Sequence, residues 1–183
     1  MFCAEIVETV EKLKKRYRET DPFRLCRAMG IKLLLQPLGT APDAIKGFIL
    51  KSRRIIAITV NSDLPPVLQR IVAAHELGHA VLHKNSGVLA FHEAALFDDS
   101  SRYEQEANLF AAEYLLEDGR VLEALNADGT FFSAAAALNV PMELLDFKFR
   151  VMKRKGYKLA ESPVRAQSNF LRSLEAPDYA DLC

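Results

Sequence analysis

Val72-Ala73-Ala74-His75-Glu76-Leu77-Gly78-His79-Ala80-Val81-Leu82-His83 is the stretch from which the rest of the chain can be read. It carries an HExxH core with apolar residues on both sides, and the spacing predicts one long helix over Val67 to His83. Residues four apart on an α-helix lie about 40° apart around the axis and one turn along it. The His75 and His79 imidazoles therefore leave one face together and can hold one Zn2+. Glu76 stands beside them, placed to take a proton from a water on the metal rather than to ligate. Zinc lowers the pKa of such a water toward about 7 and polarises a scissile carbonyl, the two requirements of hydrolysis at neutral pH. Two imidazoles and a carboxylate on a buried helix face are costly to desolvate unless a metal or hydrogen-bond partners satisfy them.

Catalytic zinc sites usually carry three protein ligands. His83 follows His79 by four residues, but a straight helix carries it a further turn from His75, which makes it a structural or supporting histidine. The third histidine that some zinc peptidases place after a glycine-bearing bend is absent. His92 lies in a connection and has no helical partner. The stronger candidate is Glu104 in the stretch Tyr103-Glu104-Gln105-Glu106-Ala107-Asn108-Leu109-Phe110-Ala111-Ala112, expected to be helical from about Arg102 to Leu116. Glu104 shares a face with Asn108, which could hydrogen-bond the second nitrogen of a ligand histidine. Ala107, Ala111 and Ala112 would let this helix come close to the HExxH helix. Glu106 is the second candidate, because it faces another side of the helix.

Working outward, residues 2 to 19 read as an amphipathic helix, with Ile6, Val7, Val10, Leu13 and Tyr17 at helical spacing. Asp21-Pro22 caps and starts a short helix that ends at Gly30. Ile31 to Leu35, Gly47 to Leu50 and Ile55 to Val60 read as strands, the last two joined by the turn Lys51-Ser52-Arg53-Arg54. Asp98-Asp99-Ser100-Ser101 offers caps for the second long helix. The remainder is helical up to about residue 157. Helices, a small sheet, then helices make an α+β pattern, with a three-stranded, mainly antiparallel sheet.

The 183 residues balance 24 Lys+Arg against 24 Asp+Glu. That excludes the basic footprint of a dedicated nucleic-acid binder or a polybasic membrane binder. No apolar run approaches the roughly 18–20 residues that span a bilayer, and the charged N-terminal stretch has no signal-peptide core. Three cysteines without CxxC spacing exclude a zinc ribbon and fit a reducing cytoplasm.

The combination of Gly47-Phe48, a strand ending in Val60-Asn61, Ala74-His75-Glu76-Leu77-Gly78-His79 with Leu82-His83, and Glu104-x-Glu106-Ala107-Asn108-x-Phe110-Ala111-Ala112 before Leu115-Leu116 resembles the ImmA/IrrE metallopeptidases. The resemblance covers roughly residues 1–155. It implies a zincin-like α+β fold with the small sheet beside the active-site helix, zinc on His75, His79 and Glu104, and Glu76 as catalytic base. It also implies cleavage of a helix-turn-helix repressor; the cysteine usage, charge balance and lack of an apolar span add the expectation of a cytoplasmic setting with no direct contact to nucleic acid or membrane. The chain departs from the family pattern where Leu115-Leu116 runs into Glu117-Asp118 rather than a proline. On this basis residues 1–130 form a zincin-like metallopeptidase domain. Residues 131–157 form a helical hairpin packed on it, and residues 158–183 a loosely held tail.

Phe131 to Met152 has the rhythm of a helix-turn-helix, followed by Lys148, Arg150, Lys153, Arg154 and Lys155. Neutral overall charge and a second helix that starts without base-reading side chains favour a packed hairpin with a solvated basic face. That face could also receive a repressor. A rival to the peptidase is a metal-binding regulatory or sensor protein acting by protein contact without proteolysis. Glu76 weighs against it, because a non-catalytic protein has no need of that carboxylate. For the oxyanion donor, Tyr103, Tyr114 and His92 are the candidates.

Overall fold

A computed structural model describes residues 3–52, 55–83 and 99–173. His92, Asp98, Arg53, Arg54 and the tail from residue 174 lie outside the described residues. Helix α1 (Cys3–Tyr17) follows the expected amphipathic pattern, burying Ile6 and Val10. Helix α2 (Pro22–Ala28) begins as its sequence dictates. Asp21 accepts hydrogen bonds from the Phe23 and Arg24 amides, and Pro22 occupies the first turn, where no amide is needed. Gly30, at φ +72°, takes the left-handed conformation that lets the chain leave α2 for the sheet.

Strands β1 (Lys32–Gln36), β2 (Gly47–Ser52) and β3 (Ile55–Asn61) form one sheet in the order β1-β3-β2. β2 and β3 are the expected antiparallel hairpin, with Phe48 opposite Thr59 and Leu50 opposite Ala57. β1 differs: it runs parallel to β3, with Leu33 opposite Ile58. The sheet is therefore mixed rather than mainly antiparallel. The physical reason is Asn61. Its fully buried amide donates to the carbonyls of Gly39 (2.8 Å) and Ile45 (3.0 Å), and its Oδ1 accepts from the Leu38 (3.1 Å) and Asp63 (2.9 Å) amides. The three bonds to Leu38, Gly39 and Ile45 tie down the segment that carries the chain from β1 past the end of β3 to the far edge, where β2 begins.

Helix α3 (Pro66–Leu82) contains the HExxH residues, and every residue from Ile71 to Ala80 is buried. It packs on β2 and β3, on α2, and on α4 (Asp99–Leu115). A helix apolar on nearly all sides needs such enclosure. Beyond it come α5 (Asp118–Asp128), α6 (Phe131–Ala137), α7 (Met142–Arg154) and the short α8 (Phe170–Ser173). α7 lies against α4 and α1. Among the described residues, no helix is long and apolar enough to cross a membrane.

Of the cluster expected as a solvated basic face, Lys148, Arg150, Lys153 and Lys155 are paired, and Arg154 is exposed. Lys148, only 1% exposed, reaches Glu113 and Asp118, each at 2.5 Å. Lys155 bonds the same two carboxylates, Arg150 bonds Asp146 and the Ala166 carbonyl, and Lys153 bonds Glu161. Ala166 and Phe170, in the stretch expected to lie loosely, are buried against this helix layer. The departure at Glu117-Asp118 thus has a structural use, since Asp118 serves as counter-ion to two lysines. Burial pushes the Cys26 thiol up to about 12, which leaves it inert.

Candidate metal centre

α3 presents His75 and His79 one turn apart, and α4 brings Glu104 across from them. The two Nε2 atoms are 3.1 Å apart. Each is 3.3 Å from a Glu104 oxygen, His75 facing Oε2 and His79 facing Oε1. The donor set suits zinc. With metal–ligand bonds of about 2.0–2.1 Å, tetrahedral coordination needs donors about 3.3–3.4 Å apart. The three residues form a triangle of donors close to that spacing, the two carboxylate distances ending on different Glu104 oxygens. Among the described residues, these three form the one group of His, Cys, Asp or Glu side chains whose donor atoms converge in this way.

The electrostatics agree with ligand chemistry. Burial pushes the His79 and His83 imidazoles below the ordinary histidine value, outweighing the carboxylates beside them. Both stay neutral at neutral pH, the form in which a ring nitrogen has a free lone pair. Burial alone would raise the Glu104 carboxyl, but hydrogen bonds to His75 and His79 hold it well below the usual carboxylate range. Glu76 is buried beside the triangle and is not one of its three members. It lies where α3 meets β2: a Cβ on Gly47 would come within 3.7 Å of the Glu76 Cγ and would collide with Val72. The lack of a side chain at Gly47 therefore lets the β2 backbone approach the Glu76 turn.

The separation of α3 and α4 sets the Glu104 distance, and it is set by small residues. A Cβ on Gly78 would lie 3.2 Å from the Ala107 Cα and from Phe110. Gly78→Val is expected to force the helices apart, destabilising the fold by about 1–3 kcal/mol through overpacking. It should also weaken zinc binding. Denaturant unfolding and zinc titration of the variant check both effects.

Around the triangle, the structure separates residues that the sequence groups together. His83 ends α3 and does not join the triangle, as helix geometry requires. Its Nδ1 lies 3.0 Å from the His79 Nδ1, and its Nε2 lies 3.0 Å from Glu106 Oε2. Glu106, the second candidate for third ligand, meets His83 instead. Asn108 does not support a histidine: its amide donates to the Ser168 carbonyl at 2.6 Å, which ties α4 to the C-terminal segment. Tyr114 is also removed from the site, donating its hydroxyl to the Glu19 carbonyl at 3.0 Å. The Tyr103 ring lies 4.5 Å from the His83 ring.

Sequence reasoning missed Lys51. From β2 its ammonium donates to the carbonyls of His79 (3.2 Å) and His83 (2.8 Å). A cation on the last carbonyls of a helix is favourable, and here it pins the end of α3 to the sheet. The sequence reads Lys51 as part of a basic turn, whereas β2 extends through Ser52 and carries it; a lysine there names no partner.

Residues 26–150 match the sequence profile of the peptidase family described as the IrrE N-terminal-like domain. An uncharacterized immunity region protein 2 of Bacillus phage phi105 is 34% identical over 143 residues, covering 78% of this chain and 88% of that protein. The metallopeptidase ImmA of Bacillus subtilis (strain 168) is 31% identical over 147 residues, covering 78% of this chain and 83% of that protein.

Proposed function

The chain belongs to the IrrE N-terminal-like family of metallopeptidases, and on that premise we propose that it is a zinc-dependent endopeptidase whose substrate is a helix-turn-helix transcriptional repressor. The observation that carries the chemistry is the convergence of His75 and His79 Nε2, 3.1 Å apart, on Glu104, which offers one oxygen to each at 3.3 Å, with Glu76 on the same turn of α3. The repressor assignment is supported by similarity to a phage immunity-region protein and to ImmA.

His75, His79 and Glu104 would hold the ion, and Glu76 is the general base. When bound, zinc supplies Lewis-acid activation of a water and of the scissile carbonyl. The other steps fall to the chain. β2 is an edge strand of the sheet and runs beside α3, so an extended substrate segment can add to it through backbone hydrogen bonds. That places the scissile bond near Glu76. A Glu76 carboxylate oxygen accepts a proton from the attacking water as the new C–O bond forms. The same oxygen returns the proton to the amine nitrogen as the C–N bond breaks. The buried setting of Glu76 keeps bulk water from competing for that proton.

The test is incubation of the zinc-loaded chain with the repressor encoded nearest its gene, with and without a chelator. Two repressor fragments that fail to form in chelator are the expected result. A repressor that stays intact while its DNA binding is lost would instead support regulation by contact. A repressor that keeps both its length and its DNA binding would remove it as the substrate.

A further inference from the structure

The partners of His79 extend in a line: His79 Nδ1 to His83 Nδ1 (3.0 Å), His83 Nε2 to Glu106 Oε2 (3.0 Å), and Glu106 Oε1 to Arg102 Nε (3.1 Å). We infer that His83 and Glu106 are positioning residues that set the tautomer and aim of His79 and so tune the zinc affinity of the site. The inference rests on the metal reading above and adds the relay behind one ligand.

Proton directions carry the argument. A Glu106 carboxylate can only accept, so it receives the Arg102 Nε–H on one oxygen and an Nε2–H from His83 on the other. A neutral His83 with its proton on Nε2 presents a bare Nδ1, and that atom must accept. His79 therefore carries its proton on Nδ1 and donates it to His83, which leaves the His79 Nε2 lone pair facing His75 and Glu104. That is the tautomer a metal at the triangle requires. Moving the His79 proton to Nε2 would instead set two bare nitrogens against each other across 3.0 Å. Three features hold the line in place. His83 is 7% and Glu106 5% exposed, Lys51 bonds the His83 carbonyl at 2.8 Å, and the Tyr103 ring lies against the His83 ring. Hydrogen-bond partners of this kind on ligand histidines typically change metal affinity about 10–100-fold when removed.

Glu106→Gln separates this role from simple packing, because it keeps the shape of the side chain. Arg102 Nε–H holds the amide oxygen, so the amide NH2 faces His83 Nε2, reverses the His83 proton, and opposes the His79 proton. Zinc competition against a chromophoric chelator should show the affinity of Glu106→Gln lowered by about 10–100-fold. A purely structural contact predicts no change in where the imidazole protons sit. Imidazole 15N spectra of the zinc-loaded wild-type chain provide a readout that needs no variant: His79 protonated on Nδ1 and His83 on Nε2. Glu106→Gln binding zinc as tightly as wild type, or His83 protonated on Nδ1, would overturn the relay while leaving the metal site standing. A wild-type chain that takes up no zinc would overturn both.

Discussion

Glu76→Gln is expected to keep zinc bound and to lower peptide-bond cleavage by about 10²–10⁴-fold, the usual contribution of a positioned general base. The substitution preserves size and hydrogen bonding but removes the ability to take a proton. His75, His79 and Glu104 are untouched, so the donor triangle survives. His75→Ala or His79→Ala should instead lose zinc and cleavage together, because each removes a corner of that triangle. Zinc content and fragment yield measured on the same preparations distinguish the two patterns. Undiminished cleavage by Glu76→Gln would mean that another group takes the proton. Loss of zinc from that variant would mean that Glu76 helps to hold the ion.

Glu113→Ala is expected to destabilise the fold by about 3–5 kcal/mol, the cost of removing one partner from a buried ion pair. Glu113 accepts from Lys148 and Lys155 at once, and Lys148 is enclosed between α4 and α7. Truncation would leave that ammonium with Asp118 as its remaining ion-pair partner among the described residues. Lys148→Met should cost less, since it replaces a buried charge with an apolar chain of similar length. The same cluster predicts an acid limb of stability. Burial would raise the Asp118 carboxyl, but Lys148 and Lys155 hold it below its ordinary value of 3.8. Its contribution is complete above that value and is lost as pH falls through the lower folded-state value. Lys155 is the converse. Burial would lower it, but Glu113 and Asp118 raise it above 10.5, so its contribution is present below 10.5 and lost at higher pH. Thermal melts of wild type and Asp118→Asn from neutral pH to pH 3 check the acid limb, which should be shallower in the variant.

What the chain discloses by itself follows how local each feature is. The shared face of His75 and His79 follows from helix arithmetic, and the match of Glu104 to it follows from the small residues that let α4 approach. Asp21 and Pro22 announce the start of α2 within three residues. The parallel setting of β1 was not legible, because it depends on Asn61 binding three positions in the segment before β2. Asn108 shares a helix face with Glu104, yet its partner is Ser168, 60 residues away. Lys148 and Lys155 looked like a solvated face because Glu113 and Asp118 belong to other helices. That His83 lies outside the donor triangle was legible from spacing, but its bond to Glu106 depends on how the end of α3 meets α4, which spacing along either helix does not express.

If His75, His79 and Glu104 hold one catalytic zinc, zinc stoichiometry after extensive dialysis, for wild type and Glu104→Ala, should give about one zinc per wild-type chain and little or none in the variant, with melts of the metal-free proteins showing that both are folded. Wild-type protein free of zinc, or a folded Glu104→Ala that retains a full complement, would contradict it.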